Sequence, residues 1–161
     1  MIAFITRLFA PGEPQLSEAV LSDARDLAEL HATCFRRGWS DEEFARLLLE
    51  ATVVTHRAII AKSIAGFILS RRAADEAEIL SIAVTASRRR RGLARRILDL
   101  HLRRLAGLGV RAVLLEVDEE NAPARRLYAR AGFQEVGRRE GYYSRPQAPP
   151  SRALVLRRDL A

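Results

Sequence analysis

The chain of 161 residues holds one cysteine, one tryptophan, one methionine and few aromatic residues, 6% in all. The lone Cys34 excludes an internal disulfide framework and any CxxC metal or redox pair. A reducing, cytoplasmic setting fits that usage, with Cys34 read as a small buried apolar side chain. No stretch reaches the roughly 18 uninterrupted apolar residues of a membrane-spanning helix. The opening MIAFITRLFAPGEP lacks a basic leader and a small-residue cleavage site, so it does not read as a signal peptide. We take residues 1–13 as an apolar arm and 14–161 as one domain, a length able to bury its own core. The arm packs on its domain or frays, the alternative being surface contact through Ile2, Phe4, Ile5, Leu8 and Phe9. The three histidines, His31, His56 and His101, have no partners at ligand spacing, and no metal site is expected.

Lysine is the other scarcity. Of the 27 basic residues only Lys62 is not arginine, and against 20 acidic residues the formal net charge is +7. So lopsided a ratio reflects compositional bias as well as function, so a single arginine carries little information. The positive balance favours anionic partners without choosing among nucleic acid, ribosome, membrane or a phosphorylated cofactor.

Periodicity orders the rest. PQLSEAVL reads as a short strand. A helix follows from Ser22 or Asp23 to about Phe35, and a second from the capping box Ser40–Glu43, with Phe44, Leu47 and Leu48 on its apolar face. TVVTHRAIIAKSIAGFILSRR suggests two strands with a turn near Lys62 to Gly66. AEILSIAVT reads as a central strand, with Ile79, Ser81 and Ala83 on one face and Leu80, Ile82 and Val84 on the other. Helical spacing resumes from Gly92 to about Leu105. A strand AVLLEV, a helix APARRLYARAG, a strand FQEVGRREGYY, a proline-rich loop RPQAPP and a last strand ALVLRRDL complete the chain.

The run RRRRGLARR, residues 88–96, sits between the central strand and the helix after it. Backbone N–H groups at a helix start lack intrahelical partners and carry partial positive charge, and a glycine there lets a phosphate approach the main chain. The loop is neither a Walker P-loop nor a dinucleotide fingerprint. Its position decides its meaning. An RxxGxA at Arg89–Ala94 is followed by LEV and then by N-x-x-A-x-x-L-Y-x-x-x-G-F from Asn121 to Phe133. That ordered series resembles the GNAT superfamily of N-acetyltransferases. Within it, CFRRGWSDEEF, LEVDEENAPARRLYARAGF and REGYY are similar to the RimI-type ribosomal-protein-alanine N-acetyltransferases, over roughly residues 14–160.

The resemblance implies an α/β (α+β) GNAT fold: a central mixed, mostly antiparallel sheet of six to seven strands flanked by about four helices. It implies acetyl-CoA as cosubstrate, bound by Ile82, Ala83 and Val84 of the central strand, by the loop Arg89, Arg90, Arg91, Gly92, Leu93, Ala94 and Arg95, and by Asn121. Glu116 matches the general base and Tyr128 the general acid, while Trp39, Tyr142 and Tyr143 border the acceptor. The implied acceptor is a protein N-terminus, the alanine of a small-subunit ribosomal protein, with no direct nucleic-acid contact. Where the RimI pattern has Asn-Tyr-Tyr this chain has Gly141-Tyr142-Tyr143, which puts the particular peptide in doubt. Residue by residue, Glu116 could instead face solvent, Tyr128 could be a core aromatic, and Trp39 could be a packing anchor. The acidic string Asp118, Glu119 and Glu120 could draw a basic peptide or merely offset arginine. Two other functions stay open: a GNAT enzyme for a small-molecule amine, and a non-catalytic basic module for RNA or ribosomes.

Overall fold

The structure is a computed structural model that describes residues 12–145 and 148–160, with the side chains of 142–145 and 148–150 outside the described set. The expected arm therefore lies almost wholly outside the described residues. Among the described residues seven strands form one sheet in the order β1-β2-β3-β4-β5-β7-β6: β1 Gln15–Glu18, β2 Val53–Ile60, β3 Ser63–Ala73, β4 Glu76–Val84, β5 Ala112–Asp118, β6 Gln134–Arg145 and β7 Ala148–Asp159. Only β4 and β5 run parallel. The helices are α1 Ala24–Cys34, α2 Asp41–Leu49, α3 Leu93–Gly107 and α4 Ala122–Arg130. The expected sheet and helix count are what the chain forms.

Two apolar clusters divide the faces. Leu27, Leu30, Phe44, Phe67, Leu69 and Ala83 bring α1 and α2 onto one side. Ile68, Ile79, Ile97, Leu98, Leu105, Val113, Tyr128 and Phe133 bring α3 and α4 onto the other. Each fully buried large apolar side chain contributes about 1.5–3 kcal/mol relative to exposure. The capping box holds as the sequence suggests: Ser40 Oγ accepts from the Glu43 amide at 3.2 Å, and Glu43 Oε2 accepts from the Ser40 amide at 2.7 Å. Such a cap stabilises the helix by about 1 kcal/mol.

Three local expectations are corrected. The first strand is only four residues long, because Asp23 Oδ2 accepts from the Val20 amide at 2.7 Å and draws the chain into a single 3-10 turn at Leu21–Asp23. The turn between β2 and β3 is confined to Ala61 and Lys62, both at positive φ, while Gly66 lies within β3. A Cβ on Gly66 would lie 2.9 Å from Ile97 Cδ1 and 3.1 Å from the Ala83 carbonyl oxygen, so the close seating of α3 on the sheet, not a turn, demands that glycine. Finally, Pro149 and Pro150 belong to β7 rather than to a loop. Until Ala153 meets Asp118 of β5, β7 has only β6 beside it, so prolines lacking an N–H cost no ladder bond on the open side.

Candidate active site

The central strand departs from simple alternation. Ser70 pairs with Ile79 and Leu69 with Ser81, which leaves Leu80 as an extra residue, a β-bulge. Its consequence is a shift of face. Ile79 shares a cluster with Ile82 and Val84, and Leu80 with Ala83, instead of the grouping that strict alternation gives. The parallel ladder between β4 and β5 runs from Glu76↔Ala112 to Ile79↔Leu115 and ends there, although both strands continue. Residues 80–84 thus have β3 on one side and no strand partner on the β5 side. Their main-chain groups on that side are the polar wall of a cleft between separating strands.

Where the strands part, a cavity of about 380 Å³ is lined by Trp39, Leu47, Arg71, Glu78, Ile79, Leu80 and Glu116. Glu116 reaches it from β5, 23% exposed at its side chain, and its Oε1 accepts from Arg139 Nη1 at 2.8 Å. The alternative of a carboxylate facing bulk solvent is not what the chain adopts. Trp39 is fixed by His31: the rings stack at 4.6 Å and 18°, and the Trp39 amide donates to His31 Nδ1 at 3.1 Å. Phe35 stacks on His31 at 4.3 Å. The imidazole must be neutral at Nδ1 to accept that bond. Burial agrees, lowering the His31 pKa to about 4 against the opposing pull of Glu43.

At the other end of the cleft, Gly92 takes a left-handed φ of 77° and caps α3 with no side-chain bond, so the amides of Leu93, Ala94 and Arg95 open the helix toward the loop. A Cβ built on Gly92 meets nothing within 4 Å. Main-chain donors, an open approach and the exposed Arg90 and Arg91 are groups that could hold a pyrophosphate. Not every residue of the run faces it. The Leu93 side chain is core, 4% exposed, and only its amide is available. Arg95 pairs with Asp99 at 2.9 Å. Arg89, though exposed, bends back toward the end of β4, its Nε donating to the Val84 carbonyl at 3.0 Å and its Nη2 lying 3.3 Å from Cys34 Sγ. Cys34 is half-buried rather than fully buried: it packs against the α1/α2 apolar cluster, as expected, and also meets the Arg89 guanidinium.

Asn121 caps α4, its Oδ1 accepting from the Ala124 amide at 3.2 Å. Tyr128, 5% exposed, lies on α4 with its ring edge-on to Phe133 at 5.6 Å. It is not among the residues lining the Glu116 cavity. Asp118 and Glu119 are engaged locally, by the Glu120 and Arg152 amides. The side chains of Tyr142 and Tyr143 lie outside the described residues. Sequence reasoning overlooked Glu78, Arg139 and the His31 clamp, whose contacts arise from strand register and ring stacking. It also saw no partners for His56 and His101, which the fold brings together. Among the described residues, no group of three His, Cys, Asp or Glu side chains is placed to hold a metal, and no helix is long and apolar enough to cross a membrane.

A sheet that opens beside a bulged central strand, with a glycine-started helix at one end and a carboxylate in the gap, is the architecture of an acyl-CoA-dependent acetyltransferase. The match to the acetyltransferase (GNAT) family covers residues 24–133, and the chain belongs to that family, whose members use acetyl-CoA. Among curated relatives it is similar to the [ribosomal protein bS18]-alanine N-acetyltransferases of Haemophilus influenzae, 34% identical over 93 residues, and of Haemophilus ducreyi, 28% identical over 94. Each match covers 58% of this chain, and 63% and 65% of those proteins, so just under two thirds of each relative is spanned. The crystal structure of the ribosomal-protein-S18-alanine N-acetyltransferase from Escherichia coli superposes with a TM-score of 0.85 at 25% identity, covering 92% of this chain and 95% of that one.

Proposed function

We propose that the protein transfers the acetyl group of acetyl-CoA to the free α-amine of a protein N-terminus, with the N-terminal alanine of a small-subunit ribosomal protein as the leading acceptor. The observation that carries this reading is Glu116: a carboxylate in the gap between β4 and β5, in the same cavity as Trp39 and Leu80. The named activity of the Haemophilus relatives supports it.

Bound acetyl-CoA supplies an acetyl group activated as a thioester. Gly92 and the amides after it bind phosphate oxygens, with Arg90 and Arg91 beside them. Main-chain groups of Ile82, Ala83 and Val84 orient the chain of the cosubstrate along the open edge of β4, and an N–H there polarises the acyl oxygen. Glu116 takes a proton from the attacking amine, directly or through water. An α-amine, with a reference pKa of about 7.7–8.0 against about 10.4 for lysine, asks little of that base. The Tyr128 hydroxyl holds the proton for the departing sulfur, a weak enough base for a phenol to serve.

The deciding experiment is mass spectrometry of acetyl transfer to a short peptide beginning with alanine, beside its N-blocked twin containing an internal lysine. Acetylation of the free N-terminus alone is the expected result. Modification of small amines with neither peptide touched would transfer the chemistry to the small-molecule reading. Failure to bind acetyl-CoA would overturn the cradle.

A further inference from the structure

We infer that Glu78 is a specificity-determining residue, its carboxylate receiving the cationic side chain of the acceptor's second residue. This rests on the N-terminal acceptor reading above. The register places Glu78 opposite Arg71 of β3 and opposite Leu114 of β5. All three share one face of the sheet, and Glu116, two residues beyond Leu114, shares it too. Two residues along a strand and one strand across separate Glu78 from Glu116 by roughly 8 Å, the distance from an N-terminal amine to a charge borne on the next side chain.

The partners of the neighbouring charges single out Glu78. A glutamate directly across from an arginine ordinarily pairs with it. Here Arg71 instead grips Glu50 with a two-bond fork, Nε and Nη2 at 3.1 and 3.2 Å from its two oxygens. Glu116 is held by Arg139. Of the two glutamates in the cavity, Glu78 is the one with no hydrogen bond or ion pair to a side chain among the described residues, and it is exposed at the mouth. Beside it Trp39, Leu47 and Leu80 form an apolar wall along which the methylene stem of an arginine or lysine can lie while its head reaches the carboxylate. Trp39, its ring stacked on His31, is a rigid part of that wall. The reacting amine must be neutral to attack, so a permanent cation one residue on is the charge that Glu78 can hold throughout the reaction.

The test compares three free peptides that differ only at the second residue, arginine, its neutral isostere citrulline, or glutamate, with wild type, Glu78→Gln and Glu78→Arg. Wild type should favour arginine over citrulline by about five-fold in kcat/KM, carried by KM and weakening with added salt, the upper range for a part-exposed ion pair. In Glu78→Gln that ratio should fall to about one, and in Glu78→Arg the glutamate peptide should become the better acceptor. A wild type that treats arginine and citrulline alike, or a Glu78→Gln that keeps the wild-type ratio, overturns the proposal and leaves N-terminal acetylation standing. If no free peptide is acetylated, the acceptor reading itself falls, and the role of Glu78 with it.

Discussion

Nδ1 of His101 on α3 lies 2.7 Å from Nδ1 of His56 on β2, and Ser70 Oγ lies 2.6 Å from the other nitrogen of His101. Two like nitrogens at that distance share one proton, so a doubly charged pair has no place in the fold. Burial lowers the His101 pKa to about 3, helped by His56; burial also lowers His56, with Glu18 opposing and Arg104 assisting. The unfolded chain takes up protons near pH 6.5 and the folded chain does not. Stability is therefore fully present above about pH 6.5 and is lost as pH falls toward the folded values. From pH 7.5 to 5.0 the loss from His101 is about 2 kcal/mol, with His56 and His31 acting in the same direction. Urea unfolding at the two pH values measures it; an unchanged midpoint would mean that these imidazoles are charged in the native protein.

Glu116→Gln keeps the size of the side chain and an acceptor oxygen for Arg139 but removes the carboxylate proposed as the base. Turnover should drop by about 100-fold or more, while the dissociation constant for acetyl-CoA stays within about two-fold, because the cradle lies at the start of α3. Rapid-mix acetylation and equilibrium titration separate the two quantities. A variant with wild-type turnover would take Glu116 out of the chemistry.

How much of this was legible before the fold was known follows from the range of each interaction. Local signals read correctly: the Ser40–Glu43 box and the glycine at the start of α3 are decided within three residues of themselves. The features that failed depend on register. The bulge at Leu80 moves Ile79 and Ile82 to the same face, and no alternation rule applied to AEILSIAVT reveals where an extra residue enters. Glu78 joins the site because β4 pairs with β3 and β5 at particular rungs. His56 and His101, 45 residues apart, meet only when α3 is laid on the sheet. Arg89 looked like the first arginine of the cradle, yet the Val84 carbonyl at the end of β4 claims it.

Gly92→Ala tests the cradle by adding one methyl group. The new Cβ has open space around it, so it strikes nothing within the protein. The cost to folding is that of an alanine in the left-handed region, about 1–2 kcal/mol, visible as a fall in melting temperature. The cost to ligand binding is of another kind. A pyrophosphate held by the Leu93 and Ala94 amides needs close approach to the main chain beside Gly92, and a methyl group there crowds it. Acetyl-CoA affinity should therefore fall by at least ten-fold, about 1.4 kcal/mol, and binding of 3′,5′-ADP, which carries no pyrophosphate, should change far less. Titration of both ligands against folded variant is the measurement. Equal losses for the two would place the pyrophosphate elsewhere and take the start of α3 out of cosubstrate binding.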